Sequence, residues 1–141
     1  VPSALCNVVD NKVFDSLIPE TVKLVIFCGE VMSCKYLNCW IDAVPNAKYV
    51  NMYGPTEATY AYMFYDIEKN FSDENVLPIG KTCENSSIVL IDDDKEVLDG
   101  EIGEICILGQ CLSNGYYIDS QRTDAVFRQN LSVILFRENV G

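Results

Sequence analysis

The chain has 141 residues, 49% of them hydrophobic, which suits one medium globular domain or two small lobes of a larger one and excludes a disordered polymer. Its 21 acids against 10 bases give a formal charge of −11, a surface that repels phosphate backbones and anionic membranes, so nucleic-acid binding is not expected, and no apolar run approaches the roughly 20 residues that membrane insertion needs. No histidine is present, which removes the commonest general base and the usual zinc sites.

Pro2-Ser3 opens a short helix through about Val9. Val22 to Phe27, "VKLVIF", is a nearly continuous β-branched and aromatic run, the pattern of a strand covered on both faces, and it ends at Cys28-Gly29-Glu30. Ser33 is placed to cap a helix in which Tyr36, Leu37, Trp40, Ile41 and Val44 recur at helical spacing, and Pro45-Asn46 stops it. Lys48 to Tyr53 gives a second strand, closed by Gly54-Pro55. Strand, helix and strand within about 32 residues make a βαβ unit with parallel strands. Ligands of open parallel sheets sit beyond the carboxyl ends of the strands, and parallel pairing brings "FCGE" and "NMYGPTE" to the same edge.

Ala58 to Ile67, rich in Tyr, Phe and Met, reads as a further strand. From Leu77 onward the strands shorten: Ser87 to Ile91, a turn at Asp92 to Lys95, Glu104 to Leu108, then a loop from Gly109 to Gly115 and a helix starting at Thr123 to Phe127. The expected fold class is α/β: a parallel βαβ portion of a larger sheet followed by a small antiparallel β-barrel-like lobe, with boundaries at 1–67, a polar linker at 68–76, and 77–141. Asp92, Asp94 and Glu96 are spaced as calcium ligands, but Val97 stands where such a loop needs Gly, so the stretch reads as a solvated acidic hairpin turn. The seven cysteines are odd in number and contain no C-x-x-C pair, as in a cytoplasmic protein with reduced, mostly buried thiols. A start at Val1-Pro2, with no Met and no apolar leader, reads as a piece cut from a longer polypeptide.

The corner after the second strand concentrates the chemistry. Tyr53 offers a flat face for a base or for core, Thr56 a hydroxyl donor, and Glu57 a hard ligand for Mg²⁺, which takes one or two carboxylates plus phosphate oxygens. Backbone N–H groups after the Gly-Pro turn are donors for a phosphate oxygen. The same residues also read as an ordinary strand-terminating turn.

"NMYGPTEAT" resembles the Asn-x-Tyr-Gly-Pro-Thr-Glu motif of the adenylate-forming enzymes, which include acyl-CoA synthetases, luciferases and amino-acid adenylation domains. "LPIGK" at 77–81, "GEIGEICILGQCLSNGYY" at 100–117 and "RTDAVF" at 122–127 resemble later segments of that family in the same order. "FCGEVM" beside "NMYGPTEAT" looks most like the branch of D-alanine–carrier-protein ligases, which make D-alanyl adenylate from D-alanine and ATP and pass it to a carrier protein's phosphopantetheine thiol for teichoic acids. The resemblance implies an amino-acid pocket lined by Cys28, Gly29, Gly54 and Ile79. It further implies nucleotide contacts from Asn51, Met52, Tyr53, Gly54 and Thr56, Mg²⁺ ligation by Glu57, and catalytic roles for Thr56 and Glu57. Taken alone, Cys28 is also a small buried thiol at a strand end, and Ile79 is also core.

The family's Gly/Ser/Thr-rich phosphate loop and the Asp for the substrate amino group belong upstream, and its catalytic Lys downstream. The isolated chain is therefore expected to be inactive. In "LFRENVG", Phe136-Arg137 matches the family segment that holds ribose, whereas Glu138-Asn139 supplies no clean Asp, and Asn114 stands where relatives often have Arg. A peptide-synthetase adenylation domain and a degenerate, non-catalytic nucleotide-binding or interaction module share these features.

Overall fold

A computed structural model describes residues 1–17, 19–59, 61–68, 71–84, 86–130 and 133–138. It comprises α1 (Pro2–Asp10), β1 (Leu24–Cys28), α2 (Cys34–Ala43), β2 (Lys48–Tyr53), β3 (Met63–Ile67), β4 (Lys81–Thr82), β5 (Ser87–Asp92), β6 (Lys95–Glu96), β7 (Glu104–Leu108), α3 (Ser120–Val126), β8 (Phe127–Asn130) and β9 (Val133–Glu138). The contacts divide the chain into two units, Val1–Gly54 with Met63–Lys81, and Pro55–Tyr62 with Thr82–Gly141.

In the first unit β1 and β2 run parallel, in register from Leu24 opposite Lys48 to Cys28 opposite Met52, with α2 as the crossover. Strand β3 then pairs antiparallel with β2, from Tyr49 opposite Ile67 to Tyr53 opposite Met63. Val25 and Phe27 of β1 and Tyr49 of β2 point to one face, where they meet Cys34, Leu37 and Trp40 of α2 in the core. Trp40 donates its indole N–H to the Leu5 carbonyl of α1 (2.9 Å), and the buried Tyr49 hydroxyl lies between the carbonyls of Trp40 (2.7 Å) and Val44 (3.0 Å). Burial pushes the Tyr49 phenol up to about 12.

Four local expectations change. The run expected to be covered on both faces is covered on one among the described residues, with Leu24 51% and Ile26 52% exposed. Ser33 is the N-cap of α2, but its side chain makes no capping hydrogen bond; only its carbonyl serves, accepting from Leu37 N–H at 3.1 Å. The helix stops at Ala43, with Val44 at φ −131° and ψ 65°, because the residue before a proline is pushed out of the helical region. The strand expected from Ala58 begins only at Met63, because Thr56–Ala58 form a 3-10 turn that Thr59 ends in the left-handed region (φ 59°).

The second unit holds an antiparallel sheet of order β6-β5-β7-β9-β8. Its two end strands, β6 and β8, are not paired with each other among the described residues, so the sheet is open and not a closed barrel. Ile105, Cys106 and Ile107 of β7 are its buried centre. Asp93 and Asp94 take positive φ (47° and 62°) in the two-residue turn between β5 and β6, a conformation that Asp tolerates in tight hairpins. Helix α3 starts before Thr123, because the Asp119 carboxylate accepts from Arg122 N–H (3.0 Å) as its N-cap. The β8–β9 hairpin had no counterpart in the sequence reading.

Candidate functional site

Strand β1 turns out of the sheet at Gly29, whose φ of +90° excludes most side chains while a Cβ there would meet nothing closer than 3.9 Å. The next residue, Glu30, accepts hydrogen bonds from the Ser3 N–H (2.8 Å) and hydroxyl (3.1 Å) and so supplies the cap that α1 lacks. These bonds hold its carboxyl below the usual range. Cys28 is buried, and burial pushes its thiol up, which disfavours the nucleophilic thiolate.

The register puts Cys28 beside Met52 at the carboxyl ends of β1 and β2, on the face opposite Phe27 and Asn51. Asn51 is itself buried and donates its amide N–H to the Pro78 carbonyl at 2.9 Å, which anchors the segment carrying the half-buried Ile79. Gly80 seals the approach, since a Cβ there would lie 1.9 Å from the Phe64 carbonyl oxygen of β3. The first unit thus gathers Cys28, Gly29, Asn51, Met52, Tyr53, Gly54 and Ile79 at and around one sheet edge.

Thr56 and Glu57 belong to the second unit, just past the Gly54–Pro55 boundary. The 3-10 turn consumes the N–H groups of Ala58, to Pro55 O at 3.1 Å, and of Thr59, to Thr56 O at 3.2 Å, but not those of Thr56 and Glu57. Thr56 is exposed and Glu57 half-buried.

Three hydrogen bonds tie this turn to the loop after β7. The Glu57 carbonyl accepts from Ser113 N–H (2.7 Å), the Thr59 hydroxyl donates to the Cys111 carbonyl, and the Tyr116 hydroxyl donates to Glu57 Oε1. The bond to Glu57 raises the Tyr116 phenol above its ordinary value, with burial adding to it. Glu57 Oε2 accepts no hydrogen bond from the described residues. One half-buried carboxylate with an open oxygen suits a cation that keeps water and phosphate as its remaining ligands, so Glu57 fits Mg²⁺. Among the described residues no cluster of three or more His, Cys, Asp or Glu could form an all-protein cage.

Sequence reasoning missed Tyr116, Ser113 and Arg122 as parts of this arrangement. The partner of Tyr116 lies 59 residues away, so no local pattern marks it. The one signal within reach was Gly115, which takes φ +116° immediately before it. Asn139, where the ribose contact was sought, lies outside the described residues, as does Tyr60 of the aromatic run after the motif.

The family described as AMP-binding enzyme matches residues 1–117. A D-alanine–D-alanyl carrier protein ligase from Bacillus licheniformis is 35% identical over 120 residues, covering 84% of this chain and 24% of its own. The corresponding ligase of Listeria monocytogenes is 37% identical over 105 residues, 72% of this chain and 21% of its own. The chain thus spans under a quarter of the length of these relatives. Among solved structures, the Vibrio cholerae adenylation domain AlmE in complex with glycyl-adenosine-5'-phosphate has a TM-score of 0.85 at 24% identity, covering 98% of this chain and 27% of that one. The nonribosomal peptide synthetase FmoA3 gives 0.81 at 21% identity, over 99% of this chain and 16% of that one. At those identities the likeness is one of fold.

Proposed function

Because the chain belongs to the AMP-binding enzyme family, we propose that it is the central part of an AMP-forming ligase that activates D-alanine and loads it onto a carrier protein. The observation that carries this reading is Glu57, positioned by Ser113 and Tyr116 with Oε2 accepting no hydrogen bond from the described residues.

In the first step an oxygen of the D-alanine carboxylate attacks the α-phosphorus of ATP, and the bond to pyrophosphate breaks. In the second the carrier's phosphopantetheine thiol attacks the acyl carbon and AMP leaves. Within this chain, Thr56 would offer a hydroxyl and N–H to an α-phosphate oxygen, and Glu57 would hold Mg²⁺ through its carboxylate. When bound, the cation supplies the positive charge that an acidic protein otherwise lacks for phosphate. Tyr53 and Asn51 border the adenine, with Met52 and Gly54 beside them, while Cys28, Gly29, Gly54 and Ile79 shape a pocket for a small side chain. Positioning and neutralisation are the protein's share of this chemistry. The enzyme would act in the cytoplasm and supply D-alanine for teichoic acids. No helix of the described residues is long and apolar enough to cross a membrane.

The test is ATP–pyrophosphate exchange by the full-length polypeptide, offered D-alanine, L-alanine and glycine separately with Mg²⁺. Exchange strongest with D-alanine is expected, and Glu57→Gln should lower it by about 100-fold or more, the scale of lost electrostatic stabilisation. Exchange with a different amino acid would keep the chemistry and move the protein to the peptide-synthetase branch. No exchange from a folded protein would leave a non-catalytic module.

A further inference from the structure

The Tyr116 hydroxyl donates its proton to Glu57 Oε1. Its ring is fixed from two sides. The Arg122 guanidinium lies over it at 4.0 Å from the centroid, and Phe127 meets it edge-on at 5.8 Å. Its backbone is fixed too: Tyr116 N–H donates to Thr123 Oγ1 (2.9 Å), and that hydroxyl donates to the Asp119 carbonyl (2.7 Å) at the start of α3. Such close approach requires a glycine at 115, where a Cβ would come within 2.4 Å of Thr123 Cγ2. A turn of α3, a glycine and a cation–π pair therefore converge on the placement of a single hydroxyl.

We propose that Tyr116 is a positioning residue that reserves one oxygen of Glu57, so that a divalent cation meets only Oε2 and is selected as Mg²⁺ over Ca²⁺. This rests on the reading of Glu57 as the metal ligand. Mg²⁺ takes single carboxylate oxygens in a tight octahedron and retains its waters, whereas Ca²⁺ accepts both oxygens of a carboxylate in a looser shell of six to eight ligands. With Oε1 already occupied by a strong O–H donor, the two-oxygen mode is closed. Removing that donor opens it, and the orientation that serves Mg²⁺ is lost at the same time.

Nucleotide binding to the full-length polypeptide, measured by calorimetry with ATP and either Mg²⁺ or Ca²⁺, tests this without turnover. Tyr116→Phe keeps the ring, its place under Arg122 and its Phe127 contact, and removes the hydroxyl that donates to Glu57. It should weaken Mg²⁺-dependent binding by about tenfold, the scale of a lost outer-sphere partner, while Ca²⁺-dependent binding holds or improves. A merely structural role would weaken both alike and leave their ratio unchanged. Arg122→Gln, which unseats the ring without touching Glu57, should move the ratio the same way by a smaller factor, and it stands in if the first variant does not fold. An unchanged ratio in both variants, with metal dependence lost in Glu57→Gln, overturns the role of Tyr116 and leaves Glu57 as the ligand. Metal dependence that survives Glu57→Gln overturns the Glu57 reading and this inference with it.

Discussion

Tyr49 shows how much one residue can carry that a hydrophobic pattern does not reveal. In the sequence it is one more aromatic in a strand. In the fold its hydroxyl reaches the Trp40 carbonyl in the last turn of α2 and the carbonyl of the C-cap residue Val44, adding a side-chain partner to the backbone bonds these carbonyls take from Val44 N–H and Ala47 N–H. Its phenol, raised by burial from 10.0 to about 12, binds its proton more tightly folded than unfolded. A group with a raised folded value contributes stability that is fully present below its unfolded value and disappears as pH climbs through the folded one. Unfolding free energy should accordingly fall between about pH 10 and pH 12, because the unfolded chain releases this proton first. Denaturant titrations across that window should show a shallower fall for Tyr49→Phe than for the parent. The variant should also lose about 1 kcal/mol at neutral pH with its hydrogen bond. Equal slopes in the two proteins would mean that the phenol ionises in the folded state as it does in the unfolded one. Cys28 belongs at the same scale: its place at a strand end was legible from "VIFCGE", but that its thiol is held neutral by burial required the packed structure.

Strands and helices were legible where periodicity was strong and the punctuation local. Lys48 to Tyr53 matches β2 residue for residue, and Glu104 to Leu108 matches β7, since each is an apolar run stopped by Gly or preceded by it. The region after Gly54-Pro55 was not legible, because composition made Ala58 to Ile67 look like one strand. The 3-10 turn at Thr56–Ala58 and the left-handed Thr59 are instead held by hydrogen bonds to residues 111–116, far along the chain. Helix α3 was read from Thr123 because its cap, Asp119, follows Ile118, whose positive φ of 54° no propensity foretells. The segment before β4 illustrates the cost of such long-range fitting. A methyl group on Gly80 would sit 1.9 Å from Phe64 O and 2.8 Å from Tyr65 Cα, both backbone atoms that cannot swing aside, and its φ is +86°. Gly80→Ala should therefore destabilise the chain by about 3 kcal/mol or more, combining backbone strain with displacement of β3. Gly100→Ala provides the control. Gly100 has a similar φ of +91° but open space around it, so it should lose only the conformational part, about 1 kcal/mol. Comparable midpoints for the two variants in urea would show that β3 yields without cost.

At the scale of the whole molecule, the uncovered face of β1 and the acidic surface pull in opposite directions. Strand β1 begins the order β1-β2-β3-β4, so one of its edges is unpaired among the described residues, and Leu24 and Ile26 are about half exposed on one face. An exposed apolar strand at a sheet edge is a template for pairing with another chain. The net charge of −11 opposes that association at long range, but its reach shrinks to about 10 Å at 0.1 M salt, while the apolar contact is not screened. The 141-residue chain on its own should therefore self-associate increasingly as salt is added, the reverse of an assembly held by ion pairs. Sedimentation velocity at two salt concentrations reads this directly. Ile26→Lys places a charge in the middle of the exposed face and should shift the distribution toward monomer at both salts. Because the side chain is half exposed and outside the core, the change should alter stability by only about 0.5 kcal/mol. A parent chain that stays monomeric at high salt would mean that the half-exposed strand is adequately protected by its own charge. Association that Ile26→Lys leaves untouched would move the contact away from β1 and toward other exposed apolar groups such as Ile102, Tyr117 and Ile118.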